Sequence, residues 1–171
     1  TDRNSPDGTV LPELADMTSR ARASVRNDWA GASVVGAYRR NDVGIGITPM
    51  AAAVFKTGKP RSNFNKAADK LWRRWARNPK LVDSEKTKSF NAMMRLAVTE
   101  WKTVGQAFII HNYQRRPDAP GAVGLSLTMF ELEQLAQDID CTPAPGNEIR
   151  GGVEVSIETG EAKAYWVHLK D

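Results

Sequence analysis

The feature that most constrains the fold is a change of hydrophobic period at Gly105. Before it, apolar residues recur at steps of four and three, the spacing of one face of an α-helix; they are Phe90, Met94, Ala97, Trp101 and Val104. Glycine is common just past a helix end, because it adopts the left-handed conformation without a steric penalty. Residues 106–113 then read QAFIIHNY, which is typical of a β-strand.

Two further helical segments precede that stripe. Residues 16–40 have helical spacing, but Asp28 and Gly31 in their middle predict a kink or a division into two helices. After them, residues 43–49 form a short β-like run that a proline ends.

A second helix is predicted to begin at its capping residue, Asn63, and to end at Asn78 before a proline. Its apolar stripe comprises Phe64, Ala67, Ala68, Leu71, Trp72 and Trp75. The helix that ends at Gly105 is predicted to begin at Asp83 or Ser84.

The last third of the chain has the patterns of strands and loops. After a proline- and glycine-rich loop over residues 115–124, residues 125–132 predict a strand, or a strand that leads into a short helix. A linker covers residues 142–148, and residues 153–158 and 162–169 predict a hairpin with its turn at 158–161. Helices therefore come first and strands second, which favours an α+β fold with a small antiparallel β region.

Composition narrows the class of protein. A chain of 171 residues with 41% hydrophobic and 26% charged residues is expected to form about one globular domain. No window approaches the ~18 apolar residues of a membrane span, and the single cysteine, Cys141, excludes an internal disulfide.

We expect a flexible arm over residues 1–12, a mainly helical portion over 13–105 and a β-rich portion over 106–171. Without an initiator methionine or a closing element, the chain is expected to be part of a longer protein.

Charge is unevenly distributed along the chain. Residues 1–80 carry 15 lysines and arginines against 7 aspartates and glutamates, so their net charge is 15 − 7 = +8. Residues 81–171 carry 9 against 13, so their net charge is 9 − 13 = −4. Such a division indicates either a polyanionic partner or a basic surface that meets the acidic surface of another subunit.

The stretch KLWRRWAR, residues 70–77, is the most suggestive for binding. Arg73, Arg74 and Arg77 lie on one arc of a helix, and Trp72 and Trp75 lie on another. Arginine beside an aromatic ring suits nucleic acid, since arginine neutralises phosphate and tryptophan stacks on bases. The alternative is an amphipathic helix with its tryptophans in the core and its arginines outside, and the longer apolar stripe favours it.

Motifs for catalysis, metals or nucleotides are weak. Gly44-Ile-Gly46 lacks the third glycine and the helix of a dinucleotide site, so it is better read as a bulge or a close backbone contact. Lys56-Thr-Gly-Lys59 lacks the leading glycine of a phosphate-binding loop. His111, His168, the pair Asp138 and Asp140, and Cys141 have no partners at ligand or triad spacing. We therefore expect neither an enzyme nor a bound metal or cofactor.

Four stretches resemble the lambda family of tailed-phage portal proteins, in the family's order and over nearly the whole chain. They are SRARASVRNDWA with NDVGIGI in residues 19–47, LWRRWARNPK in 71–80, FNAMMRLA with GQAFI in 90–109, and EIRGGVE with AYWV in 148–167. The chain departs from the family pattern at Gln106, where glutamate is usual, and at Val153, where isoleucine is common.

The resemblance implies a structural subunit of a homo-oligomeric ring, usually of twelve copies, at one vertex of the virion capsid. Double-stranded DNA would pass through its channel during packaging and ejection, and its partners would be the terminase, the major capsid protein and tail or connector proteins. Assembly would take place in the host cytoplasm. The segment would belong to the wing, without the stem, clip and tunnel loop of the family.

Within that reading, one group of cations would face either the neighbouring subunit or DNA: Arg73, Arg74, Arg77, Arg39, Arg40, Lys56, Lys59 and Arg61. The rival hypothesis is a stand-alone, basic, helical module that binds nucleic acid.

Overall fold

A computed structural model describes residues 6–113, 123–136 and 141–168. The chain separates into two compact units, which we name the central unit, Ser33–Met129, and the terminal unit, Thr1–Ala32 with Phe130–Asp171. Helices precede small sheets, which confirms the α+β class. In the described part of the chain, no helix has the length and apolar character needed to cross a membrane. The predicted division at residues 12 and 105 stays a prediction.

The elements follow one another with short connections. Helices α1 to α6 comprise Pro6–Val10, Leu14–Asn27, Trp29–Tyr38, Ser62–Arg77, Pro79–Val82 and Phe90–Val104. Strands β1 to β5 comprise Phe108–Tyr113, Leu125–Phe130, Asn147–Arg150, Val153–Ser156 and Ala162–Tyr165. Short 3-10 segments cover Leu11–Glu13 and Leu132–Gln134, and a π-helical turn covers Arg39–Val43.

The division of the first helical segment falls at Asp28, as predicted. Its backbone is extended, and its carboxylate accepts a hydrogen bond from the backbone N–H of Ala30 at 3.0 Å, so it starts α3 as it ends α2. Nearby, a Cβ atom on Gly31 would lie 3.0 Å from the backbone oxygen of Ser24. Glycine at this position therefore lets the two backbones approach.

The predicted β-like run over residues 43–49 is wrong, because no strand forms there. Gly44 and Gly46 have φ angles of 54° and 129°, which are incompatible with a pleated strand. A Cβ atom on Gly46 would lie 1.9 Å from Nδ2 of Asn91. The Oδ1 atom of the same side chain accepts a hydrogen bond from the N–H of Ile47 at 3.1 Å. The glycine pair thus marks a close contact with α6, in line with the preferred interpretation of Gly44-Ile-Gly46 as a bulge or a close contact.

Two predicted helix starts are also wrong. Helix α4 begins at Ser62, one residue before Asn63, with no side-chain cap. Helix α6 begins at Phe90, capped by Ser89, rather than at Asp83 or Ser84. The Asp83 carboxylate instead accepts hydrogen bonds from the backbone N–H groups of residues 85, 87 and 88, which holds this segment in a loop.

The core of the central unit is formed by α4, α5, α6 and β2, and its buried members are Trp75, Leu81, Val82, Met93 and Leu127. Strands β1 and β2 pair beside it. The buried face of α6 is centred on Met93 and Glu100, whereas Trp101 is 53% exposed. Phe90 and Met94 of the apolar stripe pack against this core, and Gly105 ends the helix in the left-handed conformation as predicted.

The terminal unit contains the three-stranded sheet β3-β4-β5, in which both pairs are antiparallel. The hairpin β4-β5 confirms the prediction, and its turn covers residues 157–160. Strand β3 is a correction, because its first residues fall in the predicted linker 142–148. Of the loop predicted over residues 115–124, residues 115–122 lie outside the described part of the chain, as do Asp138 and Asp140.

Candidate interaction surface

The two compact units differ in charge more sharply than the two halves of the sequence do. The central unit carries 17 lysines and arginines against 6 aspartates and glutamates, which gives 17 − 6 = +11. The terminal unit carries 7 against 14, which gives 7 − 14 = −7. The positive charge of the chain is thus concentrated in the unit that holds every candidate cation.

Helix α4 exposes its three candidate arginines and turns its tryptophans inward. Arg73, Arg74 and Arg77 are exposed, whereas Trp75 is 5% exposed and donates its indole N–H to the backbone oxygen of Leu125 at 2.7 Å. The tryptophan pair packs against Phe90 of α6, with ring centroids 5.0 to 5.7 Å apart. The tryptophans that could have stacked on bases therefore pack in the core, and of this pattern only the arginines are exposed.

A shallow depression of about 160 Å³ lies beside two of these arginines. Arg73 and Arg77 line it together with Trp72 and Asn91. Arg74 does not line it. A guanidinium pair around a polar hollow is suited to bidentate contact with carboxylate or phosphate.

The basic turn after Phe55 is closed by two backbone hydrogen bonds. The N–H of Phe55 donates to Lys59 at 2.8 Å, and the N–H of Gly58 donates to Phe55 at 2.9 Å. Gly58 has a φ of 79°, which a glycine adopts without strain. Lys56 and Lys59 are exposed on this turn, so both ammonium groups are available to a partner.

Arg61 contacts two phenyl rings beside that turn. Its guanidinium carbon is 5.4 Å from the centroid of Phe55 and 5.0 Å from that of Phe64, within the range of a cation–π contact. Both rings are about half exposed, at 54% and 51%. The sequence prediction included Arg61 but not its partners, and Phe64 was assigned to the buried stripe, which is wrong.

Arg39 and Arg40 occupy the π-helical turn and are exposed. The turn packs on α6, and Arg95 of that helix donates to the backbone oxygen of Gly44 at 2.7 Å. A bond to this carbonyl satisfies an acceptor that a helix end leaves without an intrahelical partner. The two arginines are thus carried by a segment that is fixed to the core of the central unit.

The central unit buries the carboxylate of Asp83, which is 2% exposed. Burial raises its pKa, but hydrogen bonds from the backbone N–H groups of Lys88, Glu85 and Thr87 and from the Thr87 hydroxyl outweigh burial. The net pKa lies below the usual value for aspartate, so Asp83 is ionised at neutral pH.

In the terminal unit the carboxylate of Glu154 is buried. Glu154 on β4 accepts hydrogen bonds from the Asn147 side chain at 2.7 Å and from the N–H of Ala144 at 3.0 Å, and both lower its pKa. On the surface, Arg22 donates from Nε and Nη2 to the two carboxylate oxygens of Glu133 and lowers the pKa of that carboxyl. Glu154 and Glu133 both have structural partners, so neither carboxylate is free to act as a base.

Among the described residues, no three or more His, Cys, Asp or Glu side chains come together in a group that could hold a metal ion. His111 is exposed on β1, and Cys141 is a half-buried free thiol. His168 follows β5 rather than lying in it, and its N–H donates to Gln134 at 2.7 Å.

Comparison with protein families places the sequence beside known proteins. The family model described as phage portal protein, lambda family, matches residues 1–171. Among curated proteins, none matches this chain.

Proposed function

The chain belongs to the lambda family of phage portal proteins, and we propose that it is a structural subunit of a ring at the capsid vertex. The family match over residues 1–171 carries this proposal. The ring is the head–tail connector through which double-stranded DNA enters during packaging and leaves during ejection. The subunit contributes structure rather than catalysis, and it needs no cofactor.

The opposite charges of the two units support assembly into a ring. A closed ring is built from head-to-tail contacts, so each subunit presents two different, complementary faces to its neighbours. A central unit of net charge +11 and a terminal unit of net charge −7 supply faces of opposite sign. Complementary charge also fixes the register of such contacts and disfavours contacts between like faces.

The exposed cations of the central unit are proposed to face the acidic terminal unit of the next subunit. Arg73 and Arg77, which flank one depression, are placed to bind carboxylates in this contact. The proposed surface comprises Arg39, Arg40, Lys56, Lys59, Arg61, Arg73, Arg74 and Arg77.

A second candidate role for the same cations is contact with packaged DNA. The net charge of +11 on one unit favours it, because such a surface attracts phosphate without regard to base sequence. A stand-alone nucleic-acid-binding module is less favoured, since Trp72 and Trp75 are engaged in the core rather than free to stack on bases.

The ring is proposed to contain twelve subunits and to meet the terminase, the major capsid protein and tail or connector proteins. Assembly in the host cytoplasm precedes its place in the virion. The described residues are proposed to form part of the wing, and the residues that line the narrow channel or contact the motor are proposed to lie elsewhere in the protein.

Mass photometry and negative-stain imaging of the full-length protein test the proposal. We expect closed rings with a central hole, and we expect the pair Arg73→Glu and Arg77→Glu to reduce their number. The charge-preserving pair Arg73→Lys and Arg77→Lys is the matched control and should assemble. A monomer that binds DNA by itself, with an affinity that falls steeply with salt, would instead establish the stand-alone module.

A further inference from the structure

Arg61 and the two rings around it form a site that we name the Arg61 cradle: Phe55, Arg61 and Phe64. A surface hollow of about 380 Å³ adjoins it, lined also by Pro60, Ser62 and Asn63. The rings hold the guanidinium at 5.4 and 5.0 Å from their centroids. Because the side chain is already ordered, it loses less conformational freedom when it binds a partner.

The guanidinium of the cradle is available for a charged ligand. Arg61 makes no ion pair with any residue that the structure describes. The rings contact the guanidinium by cation–π interaction, which leaves its N–H groups as donors for a ligand. With Lys56 and Lys59 on the turn above, the cradle selects an anion.

The half-exposed phenyl rings select for apolar surface next to that anion. Interface residues that dominate affinity are often arginine and aromatic side chains, surrounded by contacts that exclude water. A fitting ligand therefore carries a carboxylate beside a bare aliphatic side chain. A phosphate backbone offers the charge without that aliphatic side chain.

The acidic terminal unit presents such a pair at the turn between β4 and β5. Ile157 is 65% exposed, and the adjacent Glu158 is exposed with no ion pair to any described residue. The turn is held by hydrogen bonds from the N–H of Ile157 to Gly146 at 3.0 Å and from the N–H of Gly160 to Ser156 at 2.8 Å. This hydrogen-bonded turn therefore exposes one carboxylate and one aliphatic side chain, and we name Ile157 and Glu158 the knob.

We propose that the Arg61 cradle of one copy of this chain receives Ile157 and Glu158 of a second copy. Glu158 binds the N–H edge of Arg61, and Ile157 packs on the rings of Phe55 and Phe64. The contact is head-to-tail, since cradle and knob lie on different units, and it therefore propagates around a ring. The inference rests on the proposed function, because it names the contact between neighbouring ring subunits.

Charge reversal on each side tests the contact in the full-length protein. We expect Arg61→Glu and Glu158→Arg each to lower the fraction of subunits in rings by about tenfold. Lys66→Glu, on an exposed position of α4, and Glu161→Arg, whose carboxylate already pairs with Lys163, make the same charge changes outside the contact and should assemble normally. Unchanged circular dichroism and melting temperature show that the variants fold.

Mixing the two defective variants gives the sharpest readout. In a ring where they alternate, the glutamate introduced at position 61 always meets the arginine introduced at position 158. The native Arg61 likewise always meets the native Glu158, so every contact again joins opposite charges. We expect equimolar mixing to restore rings, as the double variant R61E/E158R also should. A contact within one chain would be restored by the double variant alone and not by mixing.

The remaining outcomes overturn the inference. Rings formed normally by Arg61→Glu, or a mixture that stays unassembled, would exclude the contact while the proposed function stands. Normal rings of Arg61→Glu that lose salt-sensitive DNA binding would assign the cradle to DNA. Wild-type protein that forms no rings would instead overturn the proposed function together with this contact.

Discussion

At the scale of single residues, one buried carboxylate in each unit organises a loop. In the central unit, Asp83 accepts hydrogen bonds from three backbone N–H groups and one hydroxyl. In the terminal unit, Glu154 accepts hydrogen bonds from a backbone N–H and from a side-chain amide. Each pKa is lowered, because these donors favour the ionised form. Both carboxylates are therefore structural groups whose contribution depends on pH.

Replacement of Asp83 by asparagine should destabilise the protein at neutral pH by about 2 kcal/mol, because the amide accepts fewer hydrogen bonds and carries no charge. The folded-state pKa of Asp83 lies below its unfolded value. Its contribution is therefore present above the unfolded pKa and is lost as the pH falls through the folded one. Urea unfolding at a series of pH values checks this.

The wild-type and Asp83→Asn curves should converge at the acid end of that series. Glu85→Gln is the control, since it alters an exposed ion pair with Lys88 and should cost no more than about 0.5 kcal/mol. A gap between wild type and Asp83→Asn that is the same at every pH would show that ionisation of Asp83 contributes nothing.

Replacement of Trp75 by phenylalanine should cost about 2 kcal/mol, because it removes the N–H donor to Leu125 and leaves a gap among the packed rings. The same replacement at Trp29, which is 82% exposed, should change stability by no more than about 0.5 kcal/mol. Chemical denaturation of both variants measures the difference. Equal losses at the two positions would contradict the assignment of Trp75 to the core.

At the scale of elements, the sequence predicts helices and strands well where local signals agree. The division at Asp28, the glycine stop at Gly105 and the hairpin β4-β5 follow from capping, left-handed glycine and alternation. Tertiary contacts decide the rest. The start of α6 moves to Phe90 because Asp83 binds the loop before it, and nothing in the periodicity of the helix shows that bond.

Replacement of Gly46 by alanine should destabilise the contact between the segment that contains Gly44 and Gly46 and helix α6. The new Cβ would overlap the Asn91 side chain and would adopt a φ of 129°, so we expect a loss of about 3 kcal/mol. Gly58→Ala is the matched control, because its φ is also positive but nothing lies within 4 Å of the new atom. It should lose about 1 kcal/mol.

A double variant separates crowding from backbone strain at Gly46. In an Asn91→Ala background the obstruction is gone, so Gly46→Ala should cost less than in the wild-type background, and the cost that remains measures the strain of a side chain at a φ of 129°. Denaturation of the four proteins of this cycle gives the coupling. A cost at Gly46 that is unchanged by Asn91→Ala would show that the amide is not what crowds the turn.

The candidate surface could be predicted only in part from the sequence. The helical wheel of α4 separates Arg73, Arg74 and Arg77 from Trp75, and the structure has the arginines exposed and Trp75 buried. The pairing of Arg61 with Phe55 could not be predicted, because it depends on the fold of the turn between them. Its only signal in the sequence is aromatic residues on both sides of a basic turn.

At the scale of the whole molecule, charge divides by compact unit rather than by position along the chain. The net charges of the two units, +11 and −7, are larger in magnitude than those of the two sequence halves, +8 and −4. The reason is that residues 1–32 join the acidic C-terminal residues in one unit. Opposite charges on two units favour head-to-tail assembly and oppose contacts between like units.

Ring assembly should therefore weaken as salt is raised. Between about 0.05 and 0.5 M NaCl the screening length shortens severalfold, so contacts between exposed charges lose much of their strength. We expect the fraction of subunits in rings to fall over this range, as measured by mass photometry at fixed protein concentration. Assembly that is indifferent to salt, or strengthened by it, would point to an apolar interface instead.

The central claim is that the basic surface of the central unit faces the acidic terminal unit of the next subunit in a portal ring. A cryo-electron-microscopy reconstruction of the assembled full-length protein tests it most directly, through the distances from Arg73 and Arg77 to the nearest carboxylates. The account predicts closed rings in which these guanidinium groups lie within hydrogen-bonding distance of carboxylates on the neighbouring subunit. Closed rings whose arginines point into solvent or toward the DNA would contradict it.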